Sequence, residues 1–277
     1  WENFLRQPYP HQEFGVKWIL GMHDYYSNPR NDSNIGKSTP GVLLADDMGL
    51  GKTYTCLSSI FHSFQSQRKS TERNISKPVL IIAPLGLLEN WVNEVNSTFR
   101  KSPFTSVVLL QSSADLPKFR IKGAGSETNL NNLESSSARN IKYSLKIGIA
   151  FGVDRLDING RLVICTYQTL RDYQFSLCSI DWSFAIFDEA QNIKNVNSLQ
   201  TRAAKGIKAD FRILVTGTPV ENHLGEFWCL IDTAMPGYLN TFQNFRKQYM
   251  APISGASSDE VEDLQIRLGR DLREEVG

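Results

Sequence analysis

Apolar residues in this chain fall into short runs, separated by longer stretches in which apolar and polar positions mix. The runs at 42–45, 79–83, 107–110, 162–165, 184–187 and 213–215 are rich in Val, Ile and Leu and show no alternating polarity. A strand wetted on one face alternates, whereas a strand covered on both faces reads as a continuous apolar run. These runs therefore predict buried strands. Between them, the stretches at 52–64, 85–99, 167–173, 198–206 and 224–233 predict helices. Strand and helix in turn make βαβ units, so the predicted fold is α/β, a mainly parallel sheet with helices on both faces. Ligands of such a sheet collect beyond the carboxyl ends of its strands, and chemistry is expected in the loops that follow them.

Two stretches break the rhythm. Residues 27–41 carry Asn, Pro, Ser and Gly and read as a loop, and residues 123–140, rich in Ser, Asn and Gly, predict an exposed insertion. From residue 240 the alternation stops, and 259–275 predicts a charged amphipathic helix. The expected organisation is one lobe over 1–239 and the start of a C-terminal helical appendage over 240–277. No internal repeat is visible.

Composition narrows the classes. Hydrophobic residues make up 41% and charged residues 21%, ordinary values for a soluble globular protein. No apolar run approaches the roughly 18 residues that cross a bilayer, and the first residues do not resemble a signal peptide. A soluble, intracellular chain with no membrane partner is expected. Cys56, Cys165, Cys178 and Cys229 lie far apart without CxxC spacing, which predicts reduced core thiols. The formal net charge of +1 comes from 30 basic and 29 acidic residues. Any contact with nucleic acid must then come from a local patch and from main-chain amides, not from a uniform positive field.

The strand at 42–45 leads into Asp46, Asp47, Met48, Gly49, Leu50, Gly51, Lys52 and Thr53, where a helix begins. Glycines at such a turn let successive N–H groups converge on one point. The helix that follows offers its free N–H groups to a β-phosphate. Lys52 can reach the β- and γ-phosphates, and the Thr53 hydroxyl can ligate Mg²⁺. Asp46 stands where the GxxxxGK[ST] pattern has its first glycine, so a glycine turn without nucleotide is the competing reading of this loop alone. The strand at 184–187 ends in Asp188 and Glu189. Asp188 suits a Mg²⁺ ligand opposite Thr53, and Glu189 suits the base that orients and deprotonates an attacking water. In isolation a strand-end acid is also an ordinary helix cap; coupled to the loop, the pair reads as the hydrolysis site of an NTPase.

These residues resemble a known family. Residues 46–53 look like the DEMGLGKT motif of Swi/Snf-type ATPases within helicase superfamily two, with Asp47 in place of the usual glutamate. Gln12, within Pro10 to Trp18, is similar to the glutamine motif, which implies adenine recognition. Pro84 and Leu85 with Trp91 and Glu94 resemble APxSLxxNWxxE, although Trp91 also suits a plain core position. Thr166, Tyr167 and Gln168 resemble a strand-end loop that touches DNA phosphates, so Pro84, Thr166 and Tyr167 become DNA-contact candidates. Residues 188–195 match DEAQxIKN. Thr216, Gly217, Thr218 and Pro219, followed by Glu221 and Asn222, resemble TGTPxEN, the motif that couples hydrolysis to lobe movement. A polar link from Gln191 to Thr216 or Thr218 would carry that coupling. Residues 227–230 look like the apolar helix that closes the lobe.

The resemblance implies the first RecA-like lobe of an ATP-dependent duplex DNA translocase, with ATP and Mg²⁺ as cofactors. Its implied partners are double-stranded DNA, gripped through the backbone without sequence readout, and a second RecA-like lobe that supplies arginine fingers. Protein partners could dock on the insertion or the C-terminal helix. Nothing in these residues matches the second lobe, and an arginine finger contributes about 10³- to 10⁵-fold in rate, so the lobe alone should hydrolyse ATP slowly. A strand-separating helicase and a non-catalytic nucleotide-gated interaction module are the alternatives. The wording of the motifs leans towards a bacterial cytoplasm or nucleoid over a nucleus.

Overall fold

A computed structural model of the protein describes residues 1–27, 40–70, 76–128, 143–218, 224–255 and 267–272. Every predicted run is a strand: β1 (Gly41–Leu44), β2 (Val79–Ala83), β3 (Ser106–Leu110), β4 (Arg161–Thr166), β5 (Asp181–Asp188) and β6 (Lys208–Val215). Among the described residues they form one 6-stranded sheet in the order β1-β6-β5-β2-β4-β3. All neighbours are parallel. This is the sheet of a RecA-like lobe.

The missing alternation in the strands is explained by what covers them. Alternate positions within each strand, such as Val79, Ile81, Ile186 and Ile213, face one core together with Ile19 of α1 (Pro10–Ser27), Leu57 of α2 (Lys52–Ser70) and Trp91 of α3 (Leu88–Thr98). Leu80, Ile82, Phe187 and Leu214 face a second core. That core is closed by α4 (Leu116–Phe119), α5 (Tyr167–Asp172), α6 (Gln174–Cys178), α7 (Leu199–Gly206) and α8 (Leu224–Ala234). A side chain such as Leu or Ile, fully buried on either face, contributes about 1.5–3 kcal/mol, so both sets of positions must be apolar.

The helix predicted at 85–99 starts as a 3-10 turn over Leu85–Leu87, in which Leu87 N donates to Pro84 O (2.9 Å), before α3 begins. Pro84 itself is extended, with φ −56° and ψ 150°. The loop predicted at 27–41 has its residues 28–39 outside the described residues.

Of residues 123–140 the described part is 123–128, and there Glu127 is buried. Its carboxylate accepts from the N–H groups of Ser144 (2.9 Å), Phe175 (2.6 Å) and Ser176 (3.1 Å), and also from the Ser176 hydroxyl. A carboxylate with that many donors is compatible with an interior, so Glu127 ties the described start of this segment to the lobe; residues 129–140 lie outside the described residues. The expected appendage is helical where described, over Phe242–Phe245, a π turn Arg246–Met250 and Ala251–Gly255, and again over 267–272. Phe245, Tyr249, Leu268 and Leu272 of these turns belong to the second core. The remainder of the helix predicted at 259–275 lies outside the described residues.

Because every strand is parallel, all carboxyl ends meet on one rim. Strand order divides it: β1, β6 and β5 bring residues 46–53, 216–218 and 188–191 together, while β2, β4 and β3 bring Pro84, Thr166 and Gln111 together.

Candidate nucleotide site and adjoining groove

The loop between β1 and α2 has the conformation its glycines permit. Gly49 and Gly51 hold φ at 85° and 76°, in the left-handed region that favours glycine. A Cβ on Gly51 would collide with Gln12 Nε2. Lys52 begins α2, and its Nζ donates to the carbonyls of Asp46 (2.7 Å) and Asp47 (2.9 Å), so the ammonium stands over the loop. Thr53 follows in the first turn, half-buried. Met48 is 79% exposed, and its Cγ lies 3.1 Å from where a Cβ on Gly217 would sit, so the two loops touch.

Gln12 is buried and fully turned to the loop: its Oε1 accepts from Tyr9 N (3.1 Å) and its Nε2 donates to Leu50 O (3.1 Å). The expected contact with an adenine edge has to use the second amide hydrogen or lone pair. His11 Nε2 meets the same Leu50 carbonyl at 3.0 Å.

Asp188 ends β5, 9% exposed. Its Oδ2 accepts from the indole Nε1–H of Trp91 (2.8 Å), and its Oδ1 accepts from Glu189 N (3.0 Å). Burial pushes the carboxyl above its ordinary range. The Trp91 hydrogen bond pulls it back, the Glu189 charge raises it further, and the Lys52 charge lowers it. The Lys52 ammonium and the Asp188 carboxylate therefore lie within each other's field. Beneath them Cys56 is a free, buried thiol pushed upward by burial, and Cys165 is pushed up to about 12.

Glu189 has φ 49° and ψ 55°, a left-handed conformation that costs a non-glycine residue about 1–3 kcal/mol unless its surroundings impose it. They do. Glu189 O accepts from Asn192 N (3.0 Å) and Asn192 Nδ2 (2.8 Å), and Glu189 Oε2 accepts from Gln191 Nε2 (2.8 Å). Gln191 Oε1 in turn accepts from the Thr216 hydroxyl (2.9 Å), whose oxygen also accepts from Thr218 N (3.0 Å). The polar link expected from Gln191 thus runs to the Thr216 side chain and, through it, to the Thr218 backbone. Pro219, Glu221 and Asn222 lie outside the described residues.

The other half of the rim forms a groove of about 580 Å³ lined by Pro84, Gln111, Thr166, Tyr167, Gln168 and Asn192, among others. It gathers all of the DNA-contact candidates. Two of them also have partners inside the lobe. Tyr167 is 4% exposed and its hydroxyl donates to Asp188 O (2.8 Å), so this phenol points into the lobe and cannot be a DNA donor. Its ring belongs to the second core. Thr166 Oγ1 accepts from Thr169 N (2.9 Å), capping α5, and shares a hydrogen bond with Thr169 Oγ1 (2.9 Å).

With this geometry in view, similarity to known proteins becomes specific. The family model described as SNF2-related domain matches residues 11–273. The chain belongs to that family. It is 34% identical over 255 residues to the Zorya protein ZorD of Escherichia coli O139:H28, covering 92% of this chain and 21% of that protein. It is 32% identical over 244 residues to the putative ATP-dependent helicase/translocase YwqA of Bacillus subtilis, covering 88% and 21%. The chain thus spans about a fifth of the length of these relatives. The Sulfolobus solfataricus SWI2/SNF2 ATPase core domain superposes with a TM-score of 0.57 at 26% identity, covering 95% of this chain and 43% of that one. The same core in complex with dsDNA gives a TM-score of 0.61 at 24% identity, covering 97% and 44%, a likeness of fold. The SNF2-related chain is therefore a Swi/Snf-type superfamily-two N-terminal lobe.

Three site features of this SNF2-related lobe lie beyond sequence reasoning. Trp91 is both core, at 1% exposure, and the donor to Asp188. Its place in a helix after β2 becomes informative only once β2 is known to neighbour β5. Asn192, within DEAQxIKN, carried no separate signal as the residue that clasps Glu189. Glu94, three residues after Trp91, leaves the site altogether and pairs with Arg6.

Proposed function

We propose that this lobe binds Mg²⁺–ATP and, joined to a second RecA-like lobe, drives movement of the protein along double-stranded DNA. The observation that carries the reading is the continuous array on one rim: Lys52 over its glycine loop, Asp188 beside it, and Glu189 linked through Gln191 to Thr216. A bare glycine turn or a strand-end cap has no use for that array, and neither has a nucleotide-gated module that performs no hydrolysis.

The loop amides of 49–53, with Asp47, Met48 and Leu50 at its edge, and the Lys52 ammonium suit the phosphates; Gln12 closes the loop from behind and faces the base side. Thr53 and Asp188 are the residues that would hold Mg²⁺, which when bound neutralises charge on the phosphates. Asp188 arrives oriented, because Trp91 and the Glu189 amide each hold one of its oxygens. Glu189 positions the attacking water and accepts its proton. Gln191 holds the Glu189 carboxylate and passes its position to Thr216, Gly217 and Thr218, the loop from which lobe closure is sensed.

The DNA half of the reading is supported by the groove. It is lined by hydroxyl and amide groups on the same rim, which suits backbone contacts that position a duplex without reading it. Pro84, Thr166 and Gln168 form its lip. The names of relatives point the same way, among them the DNA repair and recombination protein RAD26 of Saccharomyces cerevisiae, 28% identical over 242 residues. The setting proposed is intracellular, a bacterial cytoplasm or nucleoid given ZorD and YwqA, and a nucleus if the source is a eukaryote. The test is displacement of a triplex-forming strand by the full-length protein. ATP-dependent displacement from intact duplex, lost in Lys52→Ala, supports the reading; unwinding of a forked duplex without triplex displacement replaces it with a strand-separating helicase.

A further inference from the structure

The groove and the hydrolysis residues share a wall. Tyr167 and Asn192 both line the groove, and each reaches from it to the main chain of the acidic pair. The Tyr167 hydroxyl holds Asp188 O at 2.8 Å, and Asn192 Nδ2 holds Glu189 O at 2.8 Å. Neither side chain belongs to the phosphate loop or to the link between Gln191 and Thr216, so the nucleotide chemistry alone leaves both unexplained.

What they hold is strained. Glu189 stands in the left-handed region, and a non-glycine residue there has a better populated right-handed alternative to fall back to. An element with two discrete conformations is what coupling between sites requires. Both residues are tied on the groove side: Thr166 caps α5 through Thr169 N, and Gln200 Nε2 anchors Asn192 O at 2.7 Å from α7.

We propose that Tyr167 and Asn192 are positioning residues that convey occupancy of the groove by a duplex backbone to Glu189. A backbone pressed against the lip tightens both hydrogen bonds and further favours the left-handed conformation of Glu189 that aims its carboxylate; losing either bond weakens that hold. The inference rests on the groove being the duplex-binding face, and it adds a route for stimulation inside one lobe, distinct from closure of the second.

The experiment is ATP turnover by the full-length protein with and without saturating duplex, together with duplex affinity by fluorescence anisotropy, for wild type, Tyr167→Phe and Asn192→Leu. Each variant removes one neutral hydrogen bond, which corresponds to a fall of roughly 2- to 10-fold in the ratio of stimulated to unstimulated turnover. Duplex affinity should stay near wild type, because neither lost donor faces the DNA. A ratio equal to that of wild type in both variants overturns the inference. So does a ratio restored by more duplex, which would make the two residues simple binding contacts. If Tyr167→Phe fails to fold, the exposed Asn192 carries the test alone. A wild-type protein that duplex does not stimulate at all sinks the duplex reading itself, and this inference with it.

Discussion

Replacing Trp91 by Phe keeps most of a buried ring and removes a single donor, the Nε1–H that meets Asp188 Oδ2 at 2.8 Å. Both partners are buried, at 1% and 9% exposure, so water does not take the place of the lost donor without rearrangement. A hydrogen bond to a charged group contributes about 1.5–3 kcal/mol, or about 10- to 150-fold in an equilibrium constant at 1.36 kcal/mol per decade. Removing a group that orients a metal ligand typically costs roughly 10- to 100-fold in metal affinity, the same range. With the donor gone, burial acts on the Asp188 carboxyl less opposed, and its pKa moves further up. The smaller ring also leaves a void, but its cost stays below the roughly 3–5 kcal/mol of full truncation, within a domain stability of about 5–15 kcal/mol. Trp91→Phe should therefore fold and bind ATP in EDTA like wild type, while the Mg²⁺ concentration that half-saturates nucleotide binding rises by about 10-fold or more. Fluorescent-ATP titrations across a Mg²⁺ series read this directly. A variant that is less stable but has an unchanged Mg²⁺ midpoint would refute the reasoning and return Trp91 to the role of core filler.

Further outcomes follow from other contacts. Gln191→Leu or Thr216→Val should cut turnover by roughly 10-fold with little change in the KM for ATP, because the link they break steers Glu189 and does not touch the phosphates. A parallel rise in KM would count against that division of labour. Gly51→Ala should abolish tight ATP binding, since its φ of 76° and the Gln12 amide leave no place for a Cβ; equilibrium dialysis decides it. His62 packs against Trp1 and Phe4 with its Nε2 buried and without a hydrogen-bond partner among the described residues, and burial lowers its pKa below 6.5. The unfolded chain then binds the proton more readily than the native one, so stability present above pH 6.5 is lost as pH falls through 6.5 towards the lowered native value. In His62→Phe this part of the urea-midpoint profile should flatten, and an unchanged profile would contradict the assignment.

Much of this was legible in the residues because burial and chemistry leave local marks. Continuous apolar runs announced strands covered on both faces, and the glycines before Lys52 announced a turn with positive φ. What a residue does at long range left no mark. The burial of Glu127 left no mark in the sequence because only the folded chain brings Ser144, Phe175 and Ser176 to it. Tyr167 followed the family motif into the list of DNA contacts, yet strand order places β4 two strands from β5, with the phenol reaching across to Asp188. Trp91 is a similar case: its spacing from Pro84 is visible, but the carboxylate it meets is 97 residues away. Side-chain type predicted which chemistry the rim holds, and topology decided which partners complete it.

The most direct measurement is steady-state ATP hydrolysis by the full-length protein with no DNA, with single strands and with duplex, alongside Lys52→Ala. The account predicts strong stimulation by duplex, weak stimulation by single strands and no turnover in the variant. Equal or greater stimulation by single strands, or hydrolysis that survives loss of Lys52, would contradict it.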